Sequence, residues 1–229
     1  MNNVQKFGGV AALIEAATFV IGFGLFSTVL APAMLGSDVN PGQKVAFLAD
    51  NQAIIYVSNL ILYLVFGVFL VVLALALYER LKAGASAIVQ VATAFGLIWA
   101  GLVIASGMIA NIGTGIVVDL YAKDPAQAGL VWLAVEAVAD GLGGGNEIVG
   151  GVWVLLISWA ALRAGGLPRV LNYLGLVIGM AGIVTVVPAL GELGAVFGLG
   201  LIVWFVWLGI VMLRSSLNAV ALHPATQMG

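Results

Sequence analysis

Hydrophobic residues run along this chain in long blocks, and charged residues fall almost entirely between those blocks. An apolar block of about 20 residues is typical of a membrane-crossing helix, because the hydrocarbon core is about 30 Å thick and a helix rises about 1.5 Å per residue. The pattern predicts a single membrane domain over residues 1–229, an all-α polytopic membrane helical bundle with six transmembrane helices and one interfacial helix on the outer face. The predicted spans are about 7–30, 53–78, 85–111, 146–163, 170–190 and 193–213, and the interfacial helix covers 126–140.

One apolar stretch is too long to cross the membrane once. A continuous helix over residues 126–163 would be about 57 Å long, far more than the hydrocarbon core requires. The glycine cluster Gly141-Leu142-Gly143-Gly144-Gly145 lies in its middle, and we predict that the helix breaks there. The break puts Asn146 and Glu147 at the membrane edge or just inside it.

Short polar segments predict the connections. They are a polar loop over 37–52, a tight charged turn over 79–84, a helix end at 111–115, a short loop over 163–169 and a junction at 191–192. The first apolar block also resembles a signal peptide, with Ala31-Pro32-Ala33 as a cleavage site. Its length and the charge of Glu15 favour an uncleaved first span.

Composition narrows the class of protein. Hydrophobic residues make up 63% of the chain and charged residues 8%, whereas soluble chains carry about a quarter charged residues. The net charge of −2 gives no reason to expect a nucleic-acid partner. The absence of cysteine excludes disulfides and thiolate metal sites, and the single histidine, His223, excludes paired-imidazole haem ligation. We therefore predict no cofactor and no metal.

The basic residues predict the orientation. Six of the eight fall on the side of the chain's N-terminus, and only Lys44 and Lys123 fall on the opposite side; the six are Lys6, Arg80, Lys82, Arg163, Arg169 and Arg214. Because cytoplasmic loops carry an excess of Lys and Arg, both termini are predicted to be cytoplasmic.

Glu15 is the first candidate for chemistry, since it lies about two turns inside the first span. A carboxyl group there must be neutral, paired or in contact with a watery cavity. The functional interpretation is a proton or cation site. The structural interpretation is a protonated or snorkelling carboxyl group near the inner headgroups, assisted by Lys6 or by the turn that contains Arg80 and Lys82.

A second group of acids lies near the predicted outer face. Glu136 and Asp140 are four residues apart and share one helix face. With Glu147, and with Asp119 and Glu192, they could form an acidic pocket for Ca²⁺ or Mg²⁺, although no spacing matches a known metal loop. The alternative is that the interfacial helix turns its acids to water, while Leu130, Trp132, Leu133 and Val138 face lipid or protein.

Broken helices line solute sites in transporters, which makes Asn146, Glu147, Asn111 and Asn59 candidates for a solute site. The glycine cluster lacks the preceding strand and the lysine of a nucleotide-binding loop, so we exclude that interpretation. For catalysis, no intramembrane histidine or lysine accompanies the serines, and we expect no enzyme activity.

Small residues predict close helix contacts. Gly175-x-x-x-Gly179 and Gly194-x-x-x-Gly198 present small faces that favour packing within the bundle or, alternatively, a dimer interface.

The second half of the chain carries a family resemblance. The segments Gly150-Gly-Val-Trp-Val-Leu-Leu-Ile, Leu162-Arg-Ala-Gly-Gly-Leu-Pro-Arg-Val-Leu171 and Val203-Trp-Phe-Val-Trp-Leu-Gly-Ile-Val-Met-Leu-Arg214 resemble a family of small bacterial multi-pass membrane proteins, catalogued as a domain of unknown function. The resemblance implies six to seven helices and a bacterial inner (cytoplasmic) membrane, and it brings no catalytic residues.

Two functions are compatible with this inventory. The first is a non-catalytic accessory or scaffold subunit that packs against a membrane-protein partner or another copy of itself in the lipid bilayer. The alternative is a small-solute or cation-coupled transporter, or a ligand-binding membrane protein, that uses Glu15 or the helix break at Asn146 and Glu147.

Overall fold

The computed structural model describes residues 2–31, 39–144 and 147–221, so Asn146 lies outside the described residues. These residues form helices and short turns, and no strand occurs among them. The prediction of an all-α chain is confirmed.

Helices follow one another along the described chain with few gaps. In order, they are α1 (Asn2–Leu25), a π-helical turn (Phe26–Leu30), α2 (Pro41–Asp50), α3 (Gln52–Asn59), a π-helical turn (Leu60–Val65), α4 (Phe66–Tyr121), α5 (Pro125–Ala139), a π-helical turn (Asp140–Gly144), α6 (Ile148–Ala164), α7 (Arg169–Val184), a 3₁₀ turn (Pro188–Leu190) and α8 (Leu193–Ala221).

Four helical stretches of the described chain are long and apolar enough to cross a membrane, which indicates a membrane protein. They are Asn3–Leu30, Gln52–Tyr121, Pro125–Ala164 and Leu193–Arg214, and α7 is a shorter apolar helix. A single crossing takes about 20 residues, so the stretches of 70 and 40 residues are each longer than one straight crossing. The count of six crossings stays a prediction.

Both long stretches are interrupted. The expected break in the glycine cluster is present, with Gly143 in a non-helical conformation and α6 beginning at Ile148. In α4 the backbone leaves the helical region at Ala85. Residues 79–84, predicted as a tight turn, are helical, and the chain bends one residue after them.

The predicted polar loop over 37–52 is wrong over most of its described part, because Pro41–Asp50 is helical. Asn40 caps this helix: its side chain accepts the backbone N–H of Gln43, and the side chain of Gln43 accepts the backbone N–H of Asn40. This capping box, followed by Pro41 at the first helical position, is a known start signal, and it was readable in the sequence.

The predicted helix end at 111–115 is also wrong, since α4 continues to Tyr121. A Cβ atom at Gly113 would overlap the side chain of Val135 in α5, so the glycine admits a close helix contact there. Tertiary packing of this kind stabilises a helix beyond its intrinsic propensity. Farther along, α7 ends at Val184 and not near 190, and residues 185–192 form the connection to α8.

Contacts between Cα atoms divide the chain into two compact units. The first unit contains residues 1–17, 68–100 and 147–229, and the second contains 18–67 and 101–146. Each unit has its own buried core.

In the first unit, α6 and α7 lie in backbone contact. A Cβ atom at Gly151 would stand 2.7 Å from the carbonyl oxygen of Gly179, and one at Gly175 would overlap the hydroxyl of Ser158. The Gly175-x-x-x-Gly179 face is therefore used for packing within the chain. Beside it lies a buried aromatic cluster whose ring centroids are 5.4 to 6.4 Å apart; its members are Trp99, Trp153, Phe197, Trp204 and Phe205.

In the second unit, α2 packs on α5 around a small apolar core. Its buried members are Val45, Leu48, Ile55, Val117, Ala128 and Trp132. Trp132, which could face lipid or protein by sequence, is only 7% exposed, because α2 covers it. Leu130, Leu133 and Val138 are exposed on the same helix.

Candidate functional site

Glu15 is fully buried in the first unit, with 0% of its surface exposed. It lies on the same face of α1 as Gly8, Ala11 and Ala12, because residues three, four and seven apart share a helix face. A Cβ atom at Gly8 would overlap Ala76 in α4 and Met212 in α8. Small residues on this face thus let α1 approach its neighbours closely, and that approach buries Glu15.

The snorkelling interpretation of Glu15 is wrong, because a snorkelling side chain reaches water and this one does not. Two of the cations suggested as its helpers have partners of their own. Arg80 donates hydrogen bonds to Gln5 and to the carbonyl of Gly166, each at 2.9 Å, and Lys82 forms an ion pair with Glu79 at 2.7 Å. A carboxyl group so placed needs a proton, a cation or hydrogen bonds to accompany it.

Glu147 immediately precedes α6 and joins two helix ends of the first unit. Its backbone N–H donates to the hydroxyl of Thr185 at 2.9 Å, and this hydroxyl donates to the carbonyl of Gly182 at 2.7 Å. The carbonyl of Glu147 accepts the N–H of Gly151 at 2.8 Å. These bonds satisfy backbone groups at the start of α6 and the end of α7, so the residue has a clear structural role.

Glu136 is paired with a lysine, so it does not turn freely toward water. The ammonium of Lys44 in α2 contacts both carboxylate oxygens of Glu136 in α5 at 3.0 Å. The two side chains are 17% and 28% exposed. Asp140 follows one turn later on the same helix face.

No group of three or more acidic or histidine side chains suited to a metal ion occurs in the described part of the chain. The acids proposed for one outer pocket fall in both compact units. Asp119, Glu136 and Asp140 belong to the second, and Glu147 and Glu192 belong to the first.

Asn59 and Asn111, two members of the suggested solute site, meet in the second unit. The amide nitrogen of Asn59 donates to the amide oxygen of Asn111 at 2.9 Å. A π-helical turn follows Asn59 directly, and its Tyr63 packs so closely on Gly107 that no Cβ atom would fit there. Such wide turns are rare and occur often at functional sites, and amide pairs hold helices together in lipid.

The family match agrees with the sequence resemblance. The model of a family described as a domain of unknown function, DUF4386, matches residues 7–213. The chain belongs to the DUF4386 family. The match extends beyond the second half, where the resemblance was clearest, into the first. No curated protein and no solved structure matches this DUF4386 chain.

Sequence reasoning missed three polar contacts that shape these sites. They are Lys44 with Glu136, Glu147 with Thr185, and Arg80 with Gln5 and Gly166. Each joins residues between 38 and 92 positions apart. Only the first had a local signal, the capping box that places Lys44 on a helix.

Proposed function

We propose that this DUF4386 protein crosses the bacterial inner membrane six times, with both termini in the cytoplasm. The distribution of lysine and arginine supports this orientation. The breaks at Ala85 and Gly143 support a division of the two longest apolar stretches into separate crossings and a surface helix over 126–140.

The chain contains no cysteine, so single cysteines report topology without background. Ala83 and Ala122 are both exposed, and replacing alanine preserves all native charges. In intact cells, a membrane-impermeant maleimide should label Ala122→Cys and should label Ala83→Cys only after the cells are opened. Equal labelling of the two variants in intact cells would contradict the orientation.

Within this topology, the proposed function is a non-catalytic, proton- or cation-coupled carrier of a small solute, with Glu15 as the coupling residue. The complete burial of Glu15 inside an apolar helix carries the proposal. Ionisable side chains in membrane segments are costly and are retained where an ion or a proton binds. An alanine or leucine would pack in the same helix face without that cost, so packing alone gives no reason for a glutamate.

The test measures charge movement in the purified full chain, reconstituted in proteoliposomes on a solid-supported membrane. A proton or Na⁺ concentration jump should produce a transient current in the wild type, because ion binding at a buried carboxylate moves charge within the bilayer. Glu15→Gln should abolish the current, and Glu15→Asp should retain part of it. Glu192→Gln is the matched control, because Glu192 is an exposed acid.

Infrared difference spectra complete the test. The wild type should show a protonated-carboxyl band that is missing in Glu15→Gln. If Glu15→Gln retains both the current and the band, Glu15 is not a coupling residue, and the carrier proposal fails.

The second candidate function is an accessory or scaffold subunit of a membrane complex. It is favoured by an exposed apolar stripe on α7, formed by Val170, Tyr173, Val177 and Met180, each at least 50% exposed. Residues at this spacing form one helix face that suits a partner helix or lipid. Mild detergent extraction and sizing distinguish the two candidates, since a scaffold should elute with a partner, and a carrier that works alone should elute as a single species.

A further inference from the structure

Arg80 ties together three segments of the first unit that are distant in sequence. Its guanidinium donates to the side chain of Gln5 and to the carbonyl of Gly166, both at 2.9 Å. Gln5 in turn donates to the carbonyl of Ala76 at 3.1 Å. The start of α1, the segment before Ala85 and the loop between α6 and α7 therefore meet at one place.

A fourth segment joins the same end. A Cβ atom at Gly9 would stand 2.8 Å from the side chain of Leu213, which brings the end of α8 beside the start of α1. We call these four segments, residues 3–9, 76–84, 163–169 and 209–214, the basic end. They hold six cations, Lys6, Arg80, Lys82, Arg163, Arg169 and Arg214, and one acid, Glu79, which pairs with Lys82.

A cavity of about 190 Å³ opens within the basic end, lined by Val4, Gln5, Glu79 and Arg80. One water molecule occupies about 30 Å³, so the cavity has room for a group the size of a phosphate. Lys6, the next residue in the chain after Gln5, is exposed. The lining combines a guanidinium, an amide, apolar carbon and the carboxylate of Glu79, whose charge is offset by its ion pair with Lys82.

Aromatic side chains accompany the cations. The guanidinium of Arg163 lies 5.1 Å from the ring centroid of Trp159, and the ammonium of Lys82 lies 5.6 Å from that of Tyr78. Trp159 and Tyr173 are 42% and 57% exposed. Tryptophan and tyrosine with lysine and arginine are typical of the depth at which lipid headgroups lie.

We propose that the basic end binds the headgroup of an anionic phospholipid and that the phosphate enters the cavity beside Gln5 and Arg80. Clustered cations at a membrane face attract anionic lipid. The excess of cations over acids selects an anionic lipid over a zwitterionic one. This inference does not depend on the carrier proposal.

The test measures binding of fluorescent phosphatidylglycerol to the full chain in neutral detergent, with fluorescent phosphatidylcholine as the zwitterionic reference. The wild type should prefer phosphatidylglycerol, and Lys6→Gln should weaken that binding about fivefold, the effect of one interfacial cation. Arg80→Gln should weaken it further. Lys123→Gln is the matched control, an exposed lysine that belongs to the second unit.

Arg80 also holds helices together through its bonds to Gln5 and Gly166, so the effect of Arg80→Gln on lipid binding must be compared with that of a second variant. Arg80→Lys retains the charge without the planar fork, and it should bind phosphatidylglycerol more weakly than the wild type and more tightly than Arg80→Gln. Lys6→Gln changes an exposed side chain and should leave thermal unfolding unchanged. Equal phosphatidylglycerol binding by the wild type, Lys6→Gln and Arg80→Gln would overturn the proposal, and so would displacement of the lipid by inorganic phosphate at equal concentration.

Discussion

Gly151→Ala should destabilise the first unit strongly for a change of one methyl group. The added Cβ atom would stand 2.7 Å from both the carbonyl oxygen of Gly179 and the backbone nitrogen of Ile183. Ordinary van der Waals contact begins at 3.4 Å, so α6 and α7 must separate by about 0.7 Å. Both obstructing atoms belong to the backbone, so no side-chain rotation relieves the overlap.

The magnitude follows from two opposing terms. Overpacking costs about 1 to 3 kcal/mol, and a backbone clash belongs at the upper end of that range. Alanine gains about 1 kcal/mol over glycine in helix propensity. The net loss is about 2 kcal/mol, roughly a 30-fold shift in the equilibrium between folded and unfolded protein.

The assay is reversible unfolding by SDS in mixed micelles, followed by tryptophan fluorescence, because Trp153 lies on α6. Gly101→Ala is the matched control: a Cβ atom there meets nothing within 4 Å, so that variant should be as stable as the wild type or up to about 1 kcal/mol more stable. If Gly151→Ala unfolds at the same SDS fraction as Gly101→Ala, then α6 and α7 are not in backbone contact, and the described packing is refuted.

Three further contacts, all in the second unit, are tested in the same unfolding assay. Lys44→Met should lower the free energy of unfolding by about 2 kcal/mol, because it leaves the half-buried carboxylate of Glu136 without its charged donor. The double variant Lys44→Glu with Glu136→Lys exchanges the two charges and should recover most of this loss. Asn59→Leu should lower the free energy of unfolding by about 1 kcal/mol. Adding Asn111→Leu should lower it little more, because the single change already removes the hydrogen bond between the two side-chain amides. Additive losses would mean that the two amides do not interact. Ser106→Ala should lower the free energy of unfolding by about 1 kcal/mol, because the carbonyl of Ala139 at the end of α5 accepts the buried hydroxyl of Ser106 at 2.8 Å. The same change should speed hydrogen exchange of the backbone amides in the last turn of α5. Unchanged exchange there would contradict this hydrogen bond.

Much of the fold could be predicted because local features of the sequence determine it. The apolar blocks require helices that satisfy their own backbone groups in lipid. The glycine cluster at 141–145 marked the break, since a helix over 126–163 exceeds the membrane thickness whatever surrounds it. The loop after α6 followed in the same way, because Gly165 has a φ of 70°, a left-handed conformation that glycine adopts easily at a helix end.

The helix limits that failed were those decided by contacts. The segment over 111–115 contains glycines that usually end a helix, yet α5 packs on Gly113 and keeps α4 helical to Tyr121. The segment over 41–50 is polar, yet its apolar face covers Trp132 in α5. At 111–115 a partner distant in sequence reversed the local preference, whereas at 41–50 the contact adds to a local start signal, the capping box at Asn40.

The sequence by itself determined that this DUF4386 chain is helical, apolar and built for a membrane, and it singled out Glu15, because a charge inside an apolar block is visible without coordinates. Only the tertiary structure decided the surroundings of that carboxyl group. It buried Glu15 behind a face of glycine and alanine, and it engaged Arg80 with Gln5 and Gly166. The physical reason is that a hydrophobic pattern fixes which residues leave water, whereas the pairing of polar groups depends on which helices pack side by side.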